Sequence, residues 1–450
     1  MATQAASWIS KGIALAVVGL IIGVAVGYFV YPAVNPAPSQ APTTGLPSVI
    51  KIGAILSLSG DLASYGQTQR AALQLAQIDI NNWLATAKPG VQVQFVVEDN
   101  NWLATAKPGV QVQFVVEDTA TKPDQALSEL QTLAAQGIKF FIGPVTSAEL
   151  KNIINYAQSN QLIIVSVSST SMELAVPKPF IFRFDPPDKF QAYAIARAMW
   201  EAGIRYVVIV ARHDSWGDSL SNGIASRWQQ LGGQFEIVQY PPETKDFSAV
   251  VADLNSRVSA AIQKYGADKV GVVLNSFDEG HLLIDVAATY PTLSQVRWFG
   301  SDATQGAGSF ISDTTTAEFN IKTKMIHPVF NPTFNNITLK VRQYIVSQLG
   351  RETDNYAYIA YDAAWILVKA ILEVNAYDPV KVNQILAQEA SSYFGASGWI
   401  PLDSNNDRVA GDYAFWTIIK QGGQYKWVEV GIWSSVADSV TYYPEYAYLA

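Results

Sequence analysis

Residues 206–240 read YVVIVARHDSWGDSLSNGIASRWQQLGGQFEIVQY. Tyr206–Ala211 is an unbroken apolar run rich in β-branched residues, a polar turn follows in RHDSWGD, a helical stretch opens after Gly217, and a second strand, FEIVQY at Phe235–Tyr240, closes the segment. An apolar run with no polar alternation is buried on both faces, and a strand of that kind followed by a helix belongs to a parallel sheet covered by helices. The rhythm continues with a helix predicted over Phe247–Tyr265, a strand over Val270–Asn275, a helix over Glu279–Tyr290 and a strand over Val296–Gly300. Upstream, a strand is predicted over Val49–Leu56, a helix from about Gln67 to Ala87, a strand over Lys139–Gly143, a helix from Ser147 and a strand over Leu162–Val167. A helix over Lys189–Ala202 opens the second series. Two successive series of this kind predict two doubly wound α/β lobes, each built on a parallel sheet.

An exact tandem repeat interrupts the first series: NNWLATAKPGVQVQFVVED stands at 81–99 and again at 100–118. Two copies of a 19-residue unit are too few to stack into a repeat core. One copy suffices to end the first helix, turn at Lys88-Pro89-Gly90 and form the second strand. The expectation is that copy one completes the helix through Ala87 and copy two supplies the strand, Val110–Val116, with Val91–Gly109 bulging out; copy one as the strand is the alternative.

The 450 residues carry 30 Lys and Arg against 38 Asp and Glu, a net charge of −8, with no basic run, which argues against a nucleic-acid partner. The absence of cysteine excludes disulfides, thiolate metal sites and cysteine nucleophiles. Residues 12–31, GIALAVVGLIIGVAVGYFVY, are uncharged and long enough to span a hydrocarbon core of ~30 Å. They predict a transmembrane anchor over 12–33, with a short cytoplasmic end at 1–11 and a Pro-rich linker over 34–48; a cleaved signal segment is the alternative. The expected location is the cell membrane, with a single-pass amino-terminal anchor and the body outside the cytoplasm.

Ligands of open α/β sheets bind beyond the carboxyl ends of the strands. Those ends here carry SLSGDLASYGQ with Tyr65, PVTSAEL with Ser147, SSTS with Ser168 and Thr170, RHDSWGD with Trp216 at a loop tip, SFDEG with Phe277, and SDATQG with Asp302. Hydroxyls at helix starts suit a carboxylate, an acid suits an ammonium, and aromatic walls suit the apolar remainder, which together are the parts of an amino-acid pocket. Ser147 and Ser168 also read as helix caps, and Trp216 and Phe277 as packing residues.

The stretches IGAILSLSGDLASYGQ, FIGPVTSAEL, IIVSVSSTSMEL, HDSWGDSL, KDFSAVVADL and WFGSDAT, in this order, resemble the branched-chain amino acid (Leu/Ile/Val) binding protein family, the type I periplasmic solute-binding proteins of ABC importers. The resemblance runs from about Ile50 to Glu429. It implies that Tyr65 packs on the ligand, that Ser147, Ser168 and Thr170 hold its α-carboxylate, that Trp216 and Phe277 close over it, and that Asp302 takes the ammonium. The sequence departs from the family in having Tyr for the usual first-loop Trp, Trp216 and Phe277 where Tyr is common, Asp for Glu, and no disulfide. The resemblance also implies a three-strand hinge, with crossings near Phe184–Pro187, His327–Phe330 and Gly398–Pro401. Lobe 1 is then 49–184 plus 329–398, and lobe 2 is 185–328 plus 399–450.

Enzyme signatures are missing from the sequence: no P-loop, no G-x-S-x-G elbow and no H-E-x-x-H pair. No catalytic residue, metal site or cofactor is expected. Asn336-Ile337-Thr338 is a glycosylation sequon, with Asn336 the candidate acceptor. The expected function is an importer's receptor that binds a branched-chain or related amino acid, an amide or a short peptide and delivers it to permease subunits with separate ATPases. A membrane-anchored ligand sensor and a surface adhesion protein are the alternatives.

Overall fold

A computed structural model describes residues 46–47, 49–87, 92–95, 114–409 and 411–450. The predicted anchor over 12–33, the end before it and most of the linker lie outside the described residues. Among the described residues, no helix is long and apolar enough to cross a membrane.

The first sheet contains β1 (Val49–Leu56), β2 (Gln92–Phe95), β3 (Phe114–Asp118), β4 (Phe140–Ile142), β5 (Ile163–Ser166) and β6 (Ile181–Arg183). Its order is β2-β1-β4-β5-β6, every pairing is parallel, and β3 lies beside β1 as well. The second sheet holds β7 (Tyr206–Arg212), β8 (Gln234–Tyr240), β9 (Val270–Asn275) and β10 (Arg297–Phe299), in the parallel order β10-β9-β7-β8. All seven residues of β7 and all six of β9 are buried, as sheets covered on both faces require.

The repeat resolves in a way that the sequence reading did not foresee. Both copies join the sheet, each with half a strand. Val49–Ile52 of β1 pairs with Gln92–Phe95 of copy one, and Ile52–Leu56 pairs with Phe114–Asp118 of copy two. Phe95 and Phe114 occupy the same place in the repeat, and both are partnered with Ile52. The strand QVQFVVED is therefore spliced from the start of one copy and the end of the other, without a change of register. Of the expected Val110–Val116 strand, residues 114–116 are in the sheet and residues 110–113 lie outside the described residues, while Gln92–Phe95, expected in the bulge, is in the sheet.

The helix after β1 also begins earlier than expected, at Ala63 instead of about Gln67. Its first turn includes Gly66, where a Cβ would stand 2.0 Å from the Ser57 carbonyl oxygen, so only glycine lets the helix start against the end of β1.

Beyond β10 the parallel pattern ends. β11 (His327–Asn331), β14 (Asp412–Gln421), β15 (Gln424–Ser434) and β16 (Ser439–Tyr442) form an antiparallel sheet in the order β11-β14-β15-β16, and β12 (Phe394–Gly395) pairs with β13 (Gly398–Trp399) in a short hairpin. The expectation of two parallel lobes omitted this sheet. Its mark in the sequence is the hairpin turn: Gly422 and Gly423 both have positive φ, 61° and 82°, as a two-residue turn that follows strand twist demands. The tail reading TYYPEYAYLA packs, with Leu449 buried and its carbonyl accepting from Arg297.

Helix Tyr356–Val374 is buried along most of its length and packs on helix Ala63–Ala87. Segment 402–408 lies beside β6, where Asp407 bridges to Arg183. The candidate acceptor Asn336 is exposed at the start of helix Asn336–Leu349. The hydroxyl of Thr338 is buried, donating to the Ala396 carbonyl and accepting from the Asn335 amide.

Deleting residues 96–114 joins Phe95 to Val115 and leaves one copy of the repeat. We expect this variant to fold with an unchanged circular dichroism spectrum and an equal or slightly higher thermal midpoint, because loop closure contributes little and grows slowly with length. Loss of cooperative unfolding would show that the two copies are not interchangeable.

Candidate ligand site

The two parallel sheets present the carboxyl ends of their strands to a common cleft. The turn after β4 leads into helix Ser147–Ser159, whose N-cap is Thr146. The Thr146 hydroxyl accepts from the Glu149 amide at 3.1 Å, and Glu149 accepts from the Thr146 amide at 2.8 Å. Ser147 is thus the first helical residue and not the cap. Its hydroxyl accepts from the Ser171 amide at 3.0 Å and keeps its own proton for another acceptor. The Ser168 hydroxyl donates to the Val145 carbonyl at 2.9 Å and accepts from Gln69 at 3.2 Å. Ser168 is therefore no helix cap either. It ties the turn after β5 to the turn after β4.

On the opposite wall, Asp214 caps helix Ser215–Gln230 by accepting from the Trp216 and Gly217 amides at 3.0 and 2.8 Å. Trp216 lies in the first helical turn and is only 3% exposed, which corrects its expected place at a loop tip. The cap draws it inward, where its ring meets Phe277 with centroids 5.0 Å apart. Arg212 lies 3.9 Å from the Phe277 ring centroid and is fixed by Asp214 and Glu279, each at 2.7 Å. One wall of the cleft is thus an aromatic pair braced by a guanidinium.

Asp302, after β10, is 3% exposed. Its Oδ1 accepts from the Ala303 amide at 2.9 Å and its Oδ2 from the Tyr356 hydroxyl at 2.5 Å. Burial raises its pKa above the usual carboxylate range, and the hydrogen bonds from Tyr356, Gln191 and Ala303 oppose that rise. Burial likewise raises the phenols of Tyr65 and Tyr356, so both are neutral donors at physiological pH.

Tyr65, Ser147, Ser168, Trp216, Phe277 and Asp302 line one cavity. Thr170 does not line it. It is fully buried behind the cleft, where its carbonyl accepts from the Asp188 amide at 2.8 Å. The cavity is also lined by Leu62, Val145, Thr146, Ala303 and Tyr356, which the sequence reading did not nominate. Leu62, Val145, Thr146 and Ala303 sit in the same strand-end segments as nominated residues and were legible by position. Tyr356 comes from a helix outside the strand series. Its one local signal is the Asp354-Asn355 start of an apolar helix, where Asp354 caps the Tyr356 and Ala357 amides.

The cleft is closed. The Tyr65 hydroxyl reaches across to the carbonyls of Asp302 and Gln305, at 2.6 and 2.5 Å. Asp61, after β1, lies 3.6 Å from Arg212 and 3.7 Å from Lys245, and its carbonyl accepts from the Asp278 amide at 3.4 Å. The remaining cavity is ≈ 20 Å³, about the room needed for one water. A ligand of amino-acid size enters only if the two walls separate.

Residues 91–421 match the family described as "Receptor family ligand binding region", and the chain belongs to that family. It is similar to the protein MJ1266 of Methanocaldococcus jannaschii, 27% identical over 415 residues, covering 88% of this chain and 92% of the relative. Among solved structures it resembles the leucine-binding protein LivK of Thermotoga maritima, at 19% identity and a TM-score of 0.64, covering 88% of this chain and 99% of the other. It also resembles an ABC-transporter solute-binding protein of R. palustris in complex with benzoate, at 16% identity and a TM-score of 0.66, covering 88% and 98%. These likenesses establish the type I periplasmic-binding fold.

Tyr65→Phe removes a hydroxyl that ties the first-sheet wall to the Asp302 loop. We expect a loss of about 1 kcal/mol in urea unfolding of the ligand-free protein, the usual net contribution of a hydrogen bond. An unchanged midpoint would mean that the cross-cleft contact carries no stability.

Proposed function

We propose that this protein is the extracytoplasmic solute-binding component of an ABC importer, taking a branched-chain or related amino acid into the cleft and handing it to permease subunits served by separate ATPases. The observation that carries this reading is the composition of the cavity. Walls from two parallel sheets bring hydroxyls, four aromatic rings and one buried acid to a single point, and among the described lining residues there is no cation. Such a lining suits a ligand with a positive centre balanced by a carboxylate that hydroxyls and amides hold.

In this reading Ser147 donates to the carboxylate, Ser168 orders the turn beside it, and Thr170 supports that turn from behind. Asp302 takes the ammonium, while Tyr65, Trp216 and Phe277 enclose the side chain. The working motion is hinge closure between lobe 1 (49–184 with 329–398) and lobe 2 (185–328 with 399–450), with segment 402–408 as part of the hinge. The uncharged run at 12–31 would hold the body beside the permease. A second reading, an aromatic acid without an amine, is favoured by the four rings and by the benzoate complex of the R. palustris relative.

A thermal-shift screen with amino acids, their amides, short peptides, urea and aromatic acids separates the two. A ligand at 100 times its dissociation constant stabilises by ~2.7 kcal/mol, an easily measured shift. For an amine-bearing ligand, Asp302→Ala should weaken binding by about 2–4 kcal/mol in calorimetry. A response to aromatic acids alone would replace the amino-acid reading, and unchanged affinity would remove Asp302 from ligand contact.

A further inference from the structure

At the cleft and behind it, three carboxyl groups are buried and form no ion pair among the described residues. Asp185 and Asp188 are 0% exposed and Asp302 is 3% exposed. Among the described residues, neither oxygen of the Asp185 carboxyl group has a hydrogen-bond partner. Asp188 Oδ1 accepts from Gln191 Nε2 at 2.9 Å, and Gln191 Oε1 accepts from the Asp302 amide at 2.9 Å, so one amide side chain joins Asp188 to the Asp302 turn. The Thr170 hydroxyl sits beside the Asp188 carboxyl, where it opposes the rise that burial imposes.

The cations nearby are committed elsewhere. Arg183, on β6, gives Nε and Nη2 to Asp407 at 2.7 and 2.6 Å, and Nη1 to the Ser169 and Ser171 carbonyls. Lys178 also pairs with Asp407, at 2.5 Å. Arg408 donates to the carbonyls of Phe184, Ser397 and Trp399 and to the Ser397 hydroxyl, not to a carboxylate. The other groups facing the cluster are phenols: Tyr356 on Asp302 Oδ2, Tyr65 on the Asp302 carbonyl, and the buried Tyr413 of β14. A buried carboxylate without a counter-ion costs several kcal/mol to ionise.

We infer that Asp188, acting through Gln191, is a positioning residue for the ligand's ammonium: it and Asp302 share a proton while the site is empty, and the arriving ammonium displaces that proton to solvent. The inference rests on the amino-acid reading above. In the step, one carboxylic O–H bond breaks, the proton passes to the buffer, the ligand stays protonated, and nothing is oxidised or reduced. Burial pushes both acids above the usual carboxylate range, and the Asp302 charge adds to the rise at Asp188. As pH falls through that raised range, protons compete with the ammonium, and affinity falls by up to about tenfold per pH unit.

The test is calorimetry of the full chain with L-leucine, or with the amine that gives the largest thermal shift, in buffers of different ionisation enthalpy between pH 5 and 7. Observed enthalpy should vary with buffer, giving release of up to one proton that increases toward low pH. In Asp188→Asn the onset of release should move to lower pH, which a merely structural residue would not cause. Amine binding with no buffer dependence at any pH would overturn this inference alone. Binding only of amine-free acids would overturn it together with the amino-acid reading. An unshifted onset in Asp188→Asn would remove Asp188 from the pair, and the wild-type buffer series stands if that variant fails to fold.

Discussion

A buried charge node at the end of β6 constrains the rest of the molecule. Arg183, at the end of β6, grips Asp407 with two parallel hydrogen bonds, Lys178 shares the same carboxylate, and all three side chains are at most 1% exposed. Two cations against one carboxylate, out of contact with water, hold only if geometry is good and the remaining donors find acceptors. Arg183 meets that condition with the carbonyls of Ser169 and Ser171. The node therefore fixes three things together: the last strand of the first sheet, the segment that returns to the antiparallel sheet, and the turn that carries Ser168 and Thr170. The turn beside the cavity and segment 402–408 share one electrostatic anchor.

The chemistry of the cleft follows from what that anchor leaves unsatisfied. With Arg183 and Lys178 committed to Asp407, the acids at 188 and 302 face a phenol, amides and a hydroxyl. The lining then has polar groups that favour a carboxylate and an acid that favours an ammonium, without a fixed ion pair to compete with either. The second wall is stiffer. Arg212 is braced between Asp214 and Glu279 and backs Phe277, which packs on Trp216.

Legibility differed sharply between elements. β7 and β9 were readable because each is an apolar, β-branched run between turn signals, and a fully buried parallel strand has no other pattern. Trp216, Phe277 and Asp302 were readable as a group because topology sends each strand's carboxyl end to the same cleft. Tyr356 was not, because it reaches the cavity from a helix whose position depends on packing against helix Ala63–Ala87. Thr170 was nominated on the same strand-end logic as Ser168, yet two residues of turn geometry send one to the cavity and the other behind it. The antiparallel sheet was missed although its Gly422-Gly423 turn stood in the sequence.

By itself the sequence determined the α/β architecture, the two series of parallel strands and the set of strand-end segments that meet at the cleft. These are local properties: burial on both faces imposes unbroken apolar runs, and turns impose glycines and capping residues at fixed offsets. Only the tertiary structure decided that the two repeat copies share one strand, since each copy has the same letters and the choice depends on which half of β1 each can reach. Only the tertiary structure decided that Asp188 stands behind Asp302, more than a hundred positions away in the chain. Hydrogen bonding through Gln191 and the commitment of Arg183 to Asp407 depend on three-dimensional contacts, and no spacing rule within one segment encodes them.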